Sequence, residues 1–147
     1  MFSPPKGQSQ EVVFFLCCSG DDCARFTGEL RALMLRNEVR SVEDPRKLVS
    51  EIEHLKANQG PVLIVLDGDM EHAWEGYDAL KASPHKRVPV LAICAAEDTE
   101  AAYDRGVSAV LSRERWEKEF TDTVVHLTSF WVRLVRLPRV GAARPQA

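Results

Sequence analysis

The residues of this 147-residue chain best placed to do chemistry are a carboxylate at the end of an apolar run and four scattered thiols. The run is PVLIVLDGD, residues 61–69, with Asp67 at the point where five consecutive apolar residues stop and Asp69 two positions on. Being short, rich in β-branched residues and bounded by Gly60-Pro61 and Gly68, it reads as a strand buried on both faces. Such strands belong to parallel sheets covered by helices above and below. Open parallel sheets gather ligand chemistry just beyond the carboxyl ends of their strands, so Asp67 stands where a fold of this kind places its site. The thiols Cys17, Cys18, Cys23 and Cys94 form no CxxC pair and are expected to remain thiols in a reducing compartment. His54, His72, His85 and His126 share no metal-ligand spacing, and Gly20, Gly60, Gly68 and Gly106 sit at turns without forming a phosphate-binding fingerprint. No Ser-His-Asp or Cys-His arrangement follows from spacing. No residue is assigned a catalytic role, and no enzyme is expected.

The totals bound the answer further. A chain of this length makes one domain, and 45% hydrophobic with 28% charged residues is ordinary for a soluble globular protein. A net charge of −3 gives no attraction to nucleic acid or to an anionic membrane. No apolar run approaches the roughly 20 residues of a membrane span, and the N-terminus lacks the pattern of a secretory signal. A cytoplasmic location is the resulting expectation.

Taken in order, residues 1–10 are polar and Pro/Gly-containing, and are expected to form a disordered tail. VVFFLCC, residues 12–18, is a second doubly buried strand, followed by Ser19-Gly-Asp-Asp22 as a turn and helix cap. Phe26, Leu30, Leu33 and Met34 repeat at helical spacing in a helix predicted to end near Asn37. A short strand over 39–42 precedes a helix opened by Asp44-Pro45, with Leu48, Ile52 and Leu55 on one face. After Asp67 the pattern predicts a helix over 72–82, a buried strand over 88–94, a short helix over 98–105 and a strand over 108–111. One long helix is predicted over 114–137, ended by Pro138, with a loose tail over 138–147. Five strands alternating with five helices mean an α/β domain with a parallel sheet and right-handed crossovers. There is no internal repeat.

With the elements in this order, the chain resembles the CheY-like receiver domain of response regulators over residues 11–137. The stretches that carry the resemblance are VLIVLD ending at Asp67, LKASP over 80–84, VPVL over 88–91 and GVSAVL over 106–111. The ending FWVRLVRLP over 130–138 resembles the single-domain regulators that partner phytochrome-type histidine kinases. The resemblance implies a flavodoxin-like (βα)5 doubly wound parallel sheet of strand order 2-1-3-4-5, here with an extended C-terminal helix. It also implies that Asp67 is the phosphoacceptor position, served by Mg²⁺ in phosphoryl transfer.

The rest of the implied site departs from the family. Where the family has two Mg²⁺-binding acids after the first strand, this chain has Cys17-Cys18, and thiols are poor ligands for a hard cation. Asp21 and Asp22, slightly later, read as helix caps. Cys94 replaces the Ser or Thr that hydrogen-bonds the phosphoryl group, Arg113 replaces the Lys after the fifth strand, and Glu71 stands at the family's Pro. Arg keeps the charge but brings a planar, bidentate fork. At Asp69 the family uses the backbone carbonyl for its metal, leaving the carboxylate as a solvated or capping charge.

The reading preferred on these grounds is a degenerate receiver, or pseudo-receiver, in two-component phosphorelay signal transduction. It acts by protein–protein contact with little or no phosphorylation and no metal cofactor, with Asp67 fixed by Arg113. Two alternatives stay open. One is a working atypical receiver, phosphorylated on Asp67 by a histidine kinase in the presence of Mg²⁺. The other is a thiol-based redox or soft-metal sensor in which Cys17 or Cys18 converges with Cys94; against it, buried Cys behaves as a small hydrophobe and one of Cys17/Cys18 must turn away. The apolar width of the last helix predicts a homodimer through Phe130, Trp131, Leu134 and Leu137. The expected partner is a protein, of the phytochrome-type histidine kinase class, and no output domain is expected after Pro138.

Overall fold

The apolar runs of the sequence become the central strands of the sheet, and their alternate residues supply two separate cores. The computed structural model describes residues 11–55, 60–133 and 135–138. The tails over 1–10 and 139–147, and Leu134, lie outside the described residues. In chain order the elements are β1 (Val13–Cys17), α1 (Gly20–Ala32), β2 (Val39–Ser41), a 3₁₀ turn (Pro45–Lys47), α2 (Leu48–Glu53), β3 (Val62–Asp67), α3 (Ala73–Lys81), β4 (Val90–Cys94), a second 3₁₀ turn (Ala96–Asp98), α4 (Thr99–Arg105), β5 (Ala109–Ser112), α5 (Arg113–Lys118) and α6 (Phe120–Trp131). All strand pairs are parallel, in the order β2-β1-β3-β4-β5. This is the doubly wound, flavodoxin-like arrangement.

Phe15, Cys17, Ile64, Leu66, Ala92 and Cys94 face one core, closed by Leu48, Ile52, Tyr77 and Leu80 from α2 and α3. Phe14, Leu16, Cys18, Leu63, Val65 and Ile93 face the other, closed by Phe26 and Leu30 of α1 and by Trp116, Phe120, Val124 and Leu127 of α5 and α6. Side chains of this size stabilise the fold by about 1.5–3 kcal/mol each when fully buried. The register sets Cys17 beside Leu66, Asp67 beside Ile93 and Cys94 beside Ser112, so the strand ends meet along one edge. α3 comes so close to the turn before α2 that a methyl on Gly76 would meet the Pro45 carbonyl oxygen at 2.2 Å. Among the described residues no helix is long and apolar enough to cross a membrane.

Two helix ends differ from the periodicity reading. α1 stops at Ala32, short of Asn37, and Met34 is 81% exposed instead of lining the core. The end is a Schellman motif: the Leu35 amide donates to the Leu30 carbonyl at 2.9 Å and the Met34 amide to Arg31 at 3.0 Å. Met34 takes the left-handed position of that motif, with φ 63°, which turns Leu35 back onto the core. The Arg31 guanidinium then secures the turn by donating to the carbonyls of Leu35 and Asn37.

The extended final helix is instead two helices. α5 ends at Lys118, Glu119 is non-helical at φ −131° and ψ 49°, and α6 runs only to Trp131. The break lies between Trp116 and Phe120, whose rings meet edge to face at 4.7 Å, both buried. At its far end α6 is closed by wide turns, the Arg133 amide donating to Thr128 and the Val135 amide to Phe130. Thr128 also turns its hydroxyl onto the Val124 and Val125 carbonyls, and this stretch is rich in β-branched residues of weak helix preference.

Met34 places a side chain where only glycine is free of steric strain, and its own side chain is solvated. Met34→Gly is therefore expected to stabilise the protein by about 1 kcal/mol, measured by urea unfolding. A loss of stability would show that the side chain contributes contacts that outweigh the backbone strain.

Candidate functional site

Asp67 ends β3 and Arg113 opens α5, so the two approach each other across the end of β4, which lies between their strands. The guanidinium takes the carboxylate with both terminal nitrogens: Nη2 donates to Oδ1, and Nη1 donates to Oδ2 at 3.3 Å. Nη2 also donates to Asp69 Oδ2 at 3.0 Å, while the Asp69 amide donates to Asp67 Oδ1 at 2.9 Å. Asp69 is thus drawn into the cluster by its carboxylate as well as its backbone, a role that a solvated loop charge would not have. The Asp67 and Arg113 side chains are each about one-fifth exposed. The hydrogen bonds to Asp67, with the charges of Asp67 and Asp69 beside it, hold the Arg113 pKa above its ordinary value against the opposing effect of burial.

The loop after Asp67 is laid tightly over β4. The Gly68 amide donates to the Ile93 carbonyl at 3.0 Å, and a methyl on Gly68 would stand 3.2 Å from Cys94 Sγ. Cys94 is therefore under the loop, buried, with its thiol pushed up mainly by that burial. A neutral S–H there is a weak donor. Glu71 stands in the same loop, with His72 Nε2 at 3.6 Å.

The two cysteines at the end of β1 part company. Cys17 faces the core shared with Cys94, and Cys18 faces the opposite core. Only Cys17 of the two therefore shares a core with Cys94. Burial pushes the Cys17 thiol up to about 12, so it stays protonated near neutral pH. Cys18 meets a sulfur the sequence reading did not pair with it: Cys23 Sγ of α1 lies 3.6 Å away. Counting across Ser19 from the strand end into the first turn of α1 is the sequence signal that could have found it.

Asp22, at the start of α1, is also engaged. Ser19 caps α1 by accepting from the Asp22 amide at 3.1 Å. The Asp22 carboxylate accepts from the Trp116 indole at 2.9 Å and lies 3.6 Å from the Arg25 guanidinium. It serves as an anchor between α1 and α5. A hard divalent cation wants several oxygen ligands. The donor set on this edge is instead two buried thiols, a carboxylate occupied by a guanidinium and a second carboxylate sharing it, and it does not suit Mg²⁺. Among the described residues, no group of three or more His, Cys, Asp or Glu side chains is arranged to hold a metal ion.

What the arrangement can do is fix Asp67 in place. Charge-assisted, partly desolvated bonds of this kind contribute about 1.5–3 kcal/mol. A double-mutant cycle on Asp67→Asn and Arg113→Gln, followed by urea unfolding, is expected to give a coupling energy of about 1–3 kcal/mol. Additive effects would show that the two side chains act independently.

No protein-family model matches the chain, and neither does any curated protein sequence. Solved structures do. The Mn²⁺-bound response regulator Rcp1 superposes with a TM-score of 0.69 at 24% identity, over 86% of this chain and 98% of that one. The phosphorylated cyanobacterial phytochrome response regulator RcpA gives 0.72 at 20% identity, over 88% and 99%. A response regulator in red-light signalling of R. palustris gives 0.71 at 18% identity, again over 88% and 99%. The chain therefore has the fold of a response-regulator receiver domain, and phytochrome response regulators are among the structures it resembles.

Proposed function

We propose that residues 11–137 act as a pseudo-receiver in two-component signalling, passing information by protein contact with little or no phosphorylation of Asp67. The observation that carries this reading is the two-nitrogen grip of Arg113 on Asp67, with Asp69 on the same guanidinium. That grip occupies the acceptor oxygens from which a phosphoryl group would be received. Buried Cys17 and Cys18 at the strand end remove the carboxylates that would bring Mg²⁺ to neutralise the transferred charge. The protein performs no reaction of its own in this reading and needs no metal. Its partner is a histidine kinase of the phytochrome-associated class, or a protein in the same cytoplasmic relay, a choice supported by the neighbours RcpA and the R. palustris regulator.

A second reading, a working receiver with Arg113 stabilising phospho-Asp67, draws on the position of Asp67 at the end of β3 and on the phosphorylated state of RcpA. Incubation with Mg²⁺ and acetyl phosphate separates the two. Mass spectrometry under acidic conditions is expected to find no phosphoryl adduct on the native protein. An acid-stable, base-labile adduct that disappears in Asp67→Asn would establish the second reading and end the first.

The proposal includes a homodimer. Phe130 is 48% exposed and packs edge to face on Trp131 at 5.3 Å, which gives the end of α6 an aromatic corner in solvent. Trp131 and Leu137 also lean on the chain's own core, so Phe130 is the residue most available to a second copy. Sedimentation velocity is expected to show a concentration-dependent dimer that Phe130→Glu weakens at least tenfold. A native monomer at high concentration would contradict this part of the proposal.

A further inference from the structure

We propose that Cys18 and Cys23 form a peroxide-oxidisable thiol pair, closing to a disulfide between the end of β1 and the first turn of α1. This does not rest on the reading of Asp67. Its basis is geometric: the two sulfurs lie 3.6 Å apart, with Cys23 Sγ also 3.4 Å from Ser41 Oγ and 3.9 Å from the Leu16 carbonyl. A disulfide needs about 2 Å between sulfurs, so closure asks for a movement of roughly 1.5 Å, the scale of a side-chain rotation. The strand end and the helix that hold the two residues are fixed by the Ser19 cap and by the apolar core around Phe26 and Leu30. Cys23 is the least buried of the four cysteines, at 7% exposure, within reach of a molecule as small as hydrogen peroxide.

The surroundings divide the labour. The bond from Cys18, helped by the Ser41 hydroxyl, pulls the Cys23 thiol below its ordinary range against the effect of its partial burial. The same bond, then burial, pushes Cys18 up. Cys23 is therefore the attacking sulfur, since the thiolate is the nucleophile. Its thiolate attacks one peroxide oxygen, the S–O bond forms as the O–O bond breaks, and hydroxide leaves to take up the proton as water. Cys18 then attacks the Cys23 sulfenic acid, the S–S bond forms as the S–O bond breaks, and a second water carries off the Cys18 proton. Two thiols have been oxidised by two electrons and one peroxide reduced to two waters. A small dithiol reverses the step by exchange and leaves as its own cyclic disulfide. Cys17 and Cys94 sit in the other core with thiols raised by burial, so they are expected to be spared.

The test treats the folded protein with hydrogen peroxide, blocks free thiols with N-ethylmaleimide during denaturation, and digests it on the amino side of Asp21 and Asp22. That cleavage separates Cys18 from Cys23, so a bridge links two peptides. The expected result is one linked pair whose fragment ions place the bridge at Cys18, which dithiothreitol removes, which Cys17→Ala retains and Cys23→Ser abolishes. Absence of a link in the wild-type protein, or a link through Cys17 or Cys94, would overturn the proposal. The wild-type fragment ions decide the matter even where a variant fails to fold.

Discussion

The central strands β1, β3 and β4 carry no charged side chain before their last residue, and helices seal them on both faces. A sheet built in this way excludes charge from its body, because an unpaired ion there would lose several kcal/mol of hydration. Polar chemistry is left to the edge where the parallel strands end. Alternation then assigns each terminal side chain to a face, which is why Cys17 and Cys18 diverge although they are adjacent. The same constraint makes Asp67 a group that must be satisfied locally, and Arg113, arriving from the start of α5, is the partner that the topology supplies.

The site follows from that one pairing. A receiver-type edge with two further carboxylates would carry strong negative charge and call for a divalent cation. Here that edge holds neutral, buried thiols, and a single guanidinium balances Asp67 and Asp69 together. Arg suits this role better than Lys, since its planar fork can engage both carboxylate oxygens and still reach a second acid. Asp22, close to the end of β1, is committed to the Trp116 indole and so ties α1 to α5. The bulk of the buried apolar surface lies in the two cores, away from this edge.

Much of this was legible in the sequence, for reasons that can be named. Continuous apolar runs of β-branched residues marked β1, β3 and β4, the alternation of strands with helical patterns marked a parallel sheet, and the resemblance to receiver domains implied the strand order the structure has. Two helix boundaries were not legible. Met34 ends α1 from a left-handed position without being glycine, so no breaker signalled the turn. Glu119 interrupts the last helix with no Pro or Gly, and Trp116, Phe120 and Val124 keep helical spacing through the break. At the site, contacts between distant parts of the chain were the hard ones. Asp22 and Trp116 are 94 residues apart, and Asp69 looked like a loop charge until Arg113 was placed beside it. The Cys18–Cys23 contact is local but crosses from strand period to helix period, where neither rule alone reads it.

In the proposed reading, Arg113 occupies Asp67 in place of a metal and a phosphoryl group. Calorimetric titration of the native protein with Mn²⁺, run in parallel on Asp67→Asn, puts this to the test. No saturable binding is expected, and the heats should be the same for both proteins. A saturable isotherm in the native protein that vanishes in Asp67→Asn would contradict it.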